Sequence, residues 1–497
     1  MKRSSGILLA VSSLPSEYGI GCFDRTAYEF IDNLCKAGQR YWQILPLSQT
    51  SFGDSPYQSF SSFAGNPYFI SPDKLVQEGL LTKEECMNAD FGGDACCVDY
   101  KKLYENRYPL LEKAFSRSCI LNKADFHEFC EKHSYWLDDY ALFMAIKDYY
   151  GGIPWNEWAD RDIRMRKPET VKIYSDKLAD KILFYKFLQF HFYKQWNELK
   201  CYAVHQGIEI IGDIPIYTAY DSADVWSNPQ LFQLDENYLP IAVAGCPPDG
   251  FSADGQLWGN PLYDWEKHDE TGYKWWISRL AHCFDIYDVV RIDHFRGFDE
   301  YYSIPYGEST AKNGHWEKGA GIRLFKAVEQ ALGKKQIIAE DLGFVTDSVR
   351  QLVKDCGFPN MKVLQFAFDS RDTGSANDYL PHNYTENCVA YTGTHDNQTV
   401  LSWFQTISDA ERKMARDYLC DYYTPDSQLN RAFISLIMRS KADICIIPLQ
   451  DWLELDDSAR MNTPSTVGEN WKWRVDRKDL TDKLWKEIYN MTRIYGR

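Results

Sequence analysis

The sequence contains no apolar run long enough to span a bilayer, no low-complexity segment and no polar linker. A membrane-spanning helix is therefore not expected, and neither are two independently folding halves. A basic excess is also missing: 55 Lys and Arg face 71 Asp and Glu, a formal charge of -16. Nucleic acid is excluded as the expected partner, because phosphate binding needs a basic face. No Cys-x-x-Cys pair occurs among the 14 cysteines, which are scattered singly except for the neighbours Cys96 and Cys97. That pattern argues against a thiolate zinc site. Cys388 and Cys445 fall inside apolar strands, where free cysteine behaves as a small hydrophobe. The expected compartment is the reducing cytoplasm. The start agrees with this, since Lys2-Arg3 leads into a strand without the apolar region and cleavage site of a secretory signal. No Gly-rich phosphate loop follows an early strand, which removes the main support for a doubly wound nucleotide-binding sheet.

What is present is a large apolar fraction: 44% of 497 residues, enough for a substantial core. Short apolar runs recur along the chain. Candidate strands are 6–11, 41–46, 208–214, 289–295, 336–340, 362–368, 388–392 and 443–449. Most are continuously apolar, as parallel strands buried on both faces should be. Helical patterns separate them, for example at 27–37, 181–204, 273–283, 322–332, 346–354 and 430–439. Eight β-then-α units predict an α/β chain folded as one (β/α)8 TIM barrel over 1–497. Two interruptions stand out. A mostly helical insertion spans 64–180 after the second strand, and a Gly/Pro-rich stretch at 242–258 reads as a lid loop. A further loop and a closing helix fill 456–497.

Carboxylates sit where the strands end. Val289-Val290-Arg291-Ile292-Asp293 runs an apolar strand into an acid, with a cation two residues earlier. Strand side chains alternate, so Arg291 and Asp293 share a face, and the cation should favour ionised Asp293. Glu340 ends Ile337-Ile338-Ala339-Glu340. Asp396 follows the seventh strand in Thr392-Gly393-Thr394-His395-Asp396-Asn397. Asp213 ends Ile210-Ile211-Gly212-Asp213. These acids converge on the C-terminal mouth, where barrels of this kind keep their active sites. Helix capping is the competing explanation. It is preferred for Asp341, which alternates away from Glu340, and stands even with function for Asp213. For Asp293 and Glu340 function is favoured, because an apolar strand does not otherwise end in a charge. His294 and His395 gain weight from the acids beside them. A metal site built from His395, Asp396, Asp293 and Glu340 is disfavoured, since no HxH or HExxH spacing occurs and Arg291 would repel a cation. An ionised carboxylate facing a second acid suits displacement at a sugar carbon.

Ser12-Ser13-Leu14-Pro15, Asp54-Ser55-Pro56-Tyr57-Gln58-Ser59, Ala64-Gly65-Asn66-Pro67-Tyr68, Gly212-Asp213-Ile214-Pro215-Ile216-Tyr217, Pro247-Pro248-Asp249 and Gly255-Gln256-Leu257-Trp258-Gly259-Asn260-Pro261 occur in that order. Together with the Asp293, Glu340 and His395-Asp396 segments, they resemble the 4-α-glucanotransferases of the amylomaltase type, in the α-amylase clan. The resemblance implies a retaining double displacement on maltooligosaccharides and α-1,4-glucans, without a cofactor or metal. It implies Asp293 as nucleophile, Glu340 as acid and base, and Asp396 with His395 on the reacting ring. Tyr57 would stack below that ring and Arg291 would orient Asp293. Asp213, Trp258 and His294 would line neighbouring subsites. A lid at 244–254 and a second at 462–468, with Asn462 and Pro464, would favour a sugar acceptor over water; an α-glucan hydrolase on the same site is the alternative. The chain departs from the family pattern at Gly250, where a larger residue is usual, and at Phe52, where tyrosine is common.

Overall fold

The computed structural model describes residues 2–248, 253–343 and 345–497, with Phe52 described by its backbone alone. The two departures from the family pattern, Gly250 and the Phe52 side chain, lie outside the described residues. Twelve strands form among the described residues. They are β1 (Ser4–Leu8), β2 (Tyr41–Gln43), β3 (Glu209–Ile214), β4 (Ala242–Cys246), β5 (Gln256–Pro261), β6 (Val289–Ile292), β7 (Glu300–Pro305), β8 (His315–Lys318), β9 (Ile337–Ala339), β10 (Asn360–Val363), β11 (Cys388–Tyr391) and β12 (Ile444–Pro448).

Eight of these close a barrel in the order β1-β12-β11-β10-β9-β6-β3-β2, with all neighbours parallel. All eight predicted strands are barrel strands, so the (β/α)8 expectation holds. The barrel strands are buried along nearly their whole length, as expected for parallel strands covered by helices outside and packed within. The sixth predicted strand is too long: β10 stops at Val363 and the chain tightens into a 3-10 turn, Leu364–Ala367.

The largest difference lies at 242–258, read from the sequence as a lid loop. Its first five residues are β4 and its end is the start of β5. These strands join β7 and β8 in a four-stranded antiparallel sheet, order β5-β4-β7-β8. The sheet has its own small core of Val243, Tyr302, Ile304 and Ala311, with Trp316 against it. So little apolar surface is involved that the strands carry short or polar residues and escape an apolar-run search.

Between β2 and β3 the chain forms the helices Tyr100–Arg117, Ala124–Lys132, Ser134–Tyr149 and Pro168–Lys177, then the helix Ala179–His205 that leads back to the barrel. The middle of that last helix is apolar on every side (Phe184, Phe187, Leu188, Phe190, Phe192, Trp196), and all of these side chains are buried. A helix that is apolar all round needs partners on all sides. Each such side chain contributes about 1.5–3 kcal/mol on burial. Gln189 on the same helix bonds both the N–H and the carbonyl of Gly65, at 2.8 and 2.9 Å. A Cβ on Gly65 would meet the Phe192 ring at 2.1 Å, so only glycine admits this contact. Through it, the segment bearing Tyr57 is tied to the long helix. All 14 cysteines are free thiols. No helix among the described residues is long and apolar enough to cross a membrane.

Candidate active site

β6 and β9 are neighbours, paired in register at Val290↔Ile337, Arg291↔Ile338 and Ile292↔Ala339. The next residue on each strand is an acid, Asp293 on one and Glu340 on the other. Backbone bonds continue past the strand ends: Asp293 N–H to Ile214 O (2.9 Å), Glu340 N–H to Ile292 O (3.1 Å) and Phe295 N–H to Glu340 O (3.0 Å). His294 then takes a left-handed conformation, φ 49° and ψ 48°. That conformation costs a non-glycine residue about 1 kcal/mol or more. The turn it makes aims the His294 N–H at Glu340 Oε2, 2.6 Å away, while Leu342 N–H reaches Oε1 at 3.2 Å.

Behind Asp293 lies a buried cation. Arg291 is 3% exposed; its Nη1 donates to both Asp213 oxygens, at 2.7 and 2.6 Å, and its Nη2 lies 3.1 Å from Asp293 Oδ1. Tyr57 adds an O–H bond of 2.8 Å to Asp213 Oδ2. These bonds correct one sequence expectation. Asp213 does not face a subsite, because its side chain is fully buried and both oxygens are engaged. Arg291 stands against Asp293, where the resemblance puts it, with its guanidinium shared between two carboxylates rather than offered to a substrate. Asp341 is structural, as expected, but caps no helix: it accepts the Met361 N–H at 3.0 Å and so ties β9 to β10. Thr346 caps the following helix, Asp347–Cys356, instead.

The electrostatics of the pair follow from burial. Desolvation pushes Asp293 up to about 6, outweighing the downward pull of Arg291. Arg291 favours the ionised form, as expected, but burial is the larger influence. Desolvation and then the Asp293 charge push Glu340 up to about 8. The two carboxyls titrate as a pair. Asp293, 29% exposed and beside the guanidinium, is the member that ionises first, and Glu340 keeps the proton.

Asp396 stands on the loop after β11, 41% exposed. Asn462 Nδ2 donates to its Oδ1 at 2.6 Å, and His395 Nε2 lies 3.4 Å from the same oxygen. The His395 ring stacks on Tyr57, with centroids 5.2 Å apart and planes 18° apart. Trp471 leans on both rings, at 5.6 and 5.9 Å. On the opposite side, Trp258 packs its ring against the edge of His294 at 4.8 Å and donates its N–H to Gln256 Oε1 at 3.0 Å. Burial, with Arg296 nearby, drops His294 to about 3, so the imidazole is neutral. Pro464 is exposed on the turn from Thr463 to Thr466, outside this bonded network. Among the described residues, no group of three or more His, Cys, Asp or Glu is arranged to hold a metal ion.

A family model described as 4-alpha-glucanotransferase matches residues 9–480. The chain belongs to the 4-alpha-glucanotransferase family. The 4-alpha-glucanotransferase of Streptococcus pneumoniae serotype 4 is 50% identical over 502 residues, covering 100% of this chain and 98% of its own. That of Clostridium butyricum is 49% identical over 489 residues, covering 98% and 99%. Among solved structures, the amylomaltase from Streptococcus agalactiae in complex with acarbose superposes with a TM-score of 0.96 at 42% identity, over 100% of both chains.

In this member of the 4-alpha-glucanotransferase family, two residues around the site are not legible in the sequence. Trp471 was not singled out, although it touches both Tyr57 and His395. Arg460 was missed too, and its Nη2 donates to the Asp396 carbonyl at 2.6 Å. Neither has a local signal. Both lie far along the chain from their partners, and only the closed barrel brings them there.

Proposed function

We propose that this member of the 4-alpha-glucanotransferase family moves α-1,4-glucan segments between maltodextrins through a covalent intermediate on Asp293. The observation that carries this reading is the in-register pairing that sets Asp293 beside Glu340, with the proton held on Glu340. Neighbouring strands lie about 4.7–4.9 Å apart. Retaining enzymes hold their two carboxyls about 5–5.5 Å apart, against about 6.5–9.5 Å where an inverting water must fit, and acids one residue past the ends of two adjacent strands favour the closer arrangement.

In the first step an Asp293 oxygen attacks C1 of the glucose unit and the C1–O4 bond breaks. Glu340 gives its proton to the departing O4, and the reducing-end fragment leaves with a free 4-hydroxyl. Loss of that proton leaves Glu340 as a carboxylate. In the second step an acceptor 4-hydroxyl gives its proton to Glu340 and attacks C1, and Asp293 departs. Two inversions restore the α configuration. Arg291 orients Asp293 and stabilises its charge, with Asp213 and Tyr57 fixing the guanidinium. His395 and Asp396 bond the hydroxyls of the reacting ring, and Tyr57 stacks below it. Trp258 and His294 line the next subsite. Asn462 steers Asp396, and Pro464 borders the groove. None of these steps needs a cofactor.

The turn 462–468 would cover the intermediate and keep water out; of the lid at 244–254, residues 249–252 lie outside the described residues. The segment 64–180 is a helical subdomain over one rim, and 456–497 closes the chain against the barrel. The ligand class follows from the site and from the acarbose complex of the similar S. agalactiae amylomaltase. The 14 free thiols support a cytoplasmic setting. Incubation with maltotriose alone tests the reading. Glucose together with oligomers longer than maltotriose is expected; glucose and maltose alone would contradict transfer and mark a hydrolase.

A further inference from the structure

Asp396 is the one proposed catalytic-site acid that no strand end supports. It lies on the loop from Thr392 to Val400, and His395, Asn397 and Thr399 of that loop border a small cavity together with Gln450 and Met461. Thr392, His395 and Thr399 are buried, while the Asp396 side chain is 41% exposed.

Gln365 Nε2 donates to the Gln398 carbonyl at 2.8 Å and Asn397 Oδ1 accepts from the Thr394 N–H and hydroxyl at 2.9 Å, but most of the bonds that reach the loop from elsewhere come from one distant segment. Asp451, 2% exposed and just past β12, accepts the Thr392 hydroxyl at 2.5 Å and the Val400 N–H at 2.8 Å, so one carboxylate grips both ends of the loop. Asp457 accepts the Thr399 N–H at 3.0 Å and the Gln398 amide at 2.8 Å. Arg460 reaches the tip, where Nη2 donates to the Asp396 carbonyl at 2.6 Å and Nε to the Asn462 carbonyl at 2.8 Å. Asn462 then closes the circuit on the Asp396 carboxylate, and its own N–H bonds the His395 carbonyl at 3.1 Å. Asp451 is itself held, since its carbonyl accepts the Asn430 amide and the Arg431 guanidinium.

We propose that the segment Asp451–Asn462 is a clamp that positions Asp396 for the reaction, with Arg460 as the positioning residue at its tip. The proposal rests on the reading of Asp396 as a group that bonds the reacting ring. Arg460 spends two donors on two backbone carbonyls and so sets the distance between the Asp396 loop and Asn462. It acts through Asp396, not on the sugar. An acid that engages the distorted ring only near the transition state affects kcat more than KM when displaced.

The experiment compares Arg460→Met, Arg460→Lys, Asp396→Asn and the Arg460→Met/Asp396→Asn double variant in the full chain. Steady-state transfer from maltotriose and acarbose affinity are the readouts, the latter remaining measurable where turnover is slow. Arg460→Met is expected to lower kcat about 10- to 100-fold, the scale of a misplaced site, with KM within about threefold. Arg460→Lys, which keeps one donor, should recover part of that loss. Added to Asp396→Asn, Arg460→Met should change acarbose affinity by less than about twofold, because coupled residues are not additive. An equal loss in both backgrounds would overturn the clamp, as would parental turnover in Arg460→Met. Parental turnover in Asp396→Asn would instead remove the reading of Asp396 itself, and a slowed Arg460→Met beside it would place Arg460 elsewhere. Should Arg460→Met not fold, Asp451→Asn against Asp451→Ala carries the same test. An asparagine can still accept from Val400 N–H while its amide donates to the Thr392 hydroxyl, so only the alanine variant should slow transfer.

Discussion

The mouth of the barrel holds its acids in two different ways. Asp293 and Glu340 each stand one residue past a strand, and the backbone ladder of β3, β6 and β9 carries them. Asp396 stands five residues past β11 and is held by side chains from the segment after β12. Backbone bonds between buried strands are cheap to keep and hard to remove by mutation. Side-chain clamps are adjustable, and one substitution can loosen them. The part of the site proposed to make and break bonds is thus built into the barrel, while the part proposed to grip the ring hangs from it.

Substitutions can break or sharpen this contrast. The largest effect should come from Asp293→Ala. Removing the nucleophile is expected to lower transfer by more than about 10⁴-fold, while calorimetry finds maltodextrin affinity within a few-fold of the parent. Glu340→Gln keeps the strand ladder but loses the proton and one of the two oxygens that accept the His294 and Leu342 N–H groups. A drop of about 10²- to 10⁴-fold is expected with maltotriose, and a much smaller one with an α-glycosyl fluoride donor, whose leaving group needs little protonation. An equal loss with both donors would contradict the acid role. Asp396→Asn should cost about 10²- to 10³-fold in kcat, the scale of one transition-state contact, without the fluoride rescue that marks Glu340.

The smallest effect is a shift in pH dependence. Transfer needs Asp293 ionised and Glu340 protonated, so activity should fall as pH drops through the lower titration of the pair and again as pH rises through the upper one. Arg291 lowers Asp293 against the upward push of burial. In Arg291→Lys a single ammonium cannot serve Asp213 and Asp293 as the guanidinium does. Asp293 should then ionise less readily, and the acidic limb of kcat/KM should move to higher pH. A limb that stays in place or moves down would contradict the pairing.

The contrast between the two regions also decides what the sequence could reveal. The barrel strands are legible because each is a buried apolar run, and Asp293 and Glu340 are legible because a charge ends such a run. The pairing of β6 with β9 is not written locally, yet barrel topology makes it the natural neighbour. The sheet of β4, β5, β7 and β8 is not legible because it buries little: Gly245 and Cys246 look like loop residues, and no residue of β8 is fully buried. Asp213 read as an open question because its closure depends on Tyr57, distant in sequence. Arg460 was invisible for the same reason, being 64 residues from the loop it holds.

The central claim is that a glycosyl unit becomes bonded to Asp293. Glu340→Gln supplied with an α-glucosyl fluoride and no acceptor should accumulate that species, since the donor can react while deglycosylation lacks its base. Mass spectrometry of the intact chain and of its peptides reads it directly. The account predicts one added hexose, located on Asp293 and lost when maltose is supplied together with azide or another acceptor that needs no base. A hexose on any other residue, or consumption of the fluoride with no adduct and an inverted product, would contradict it.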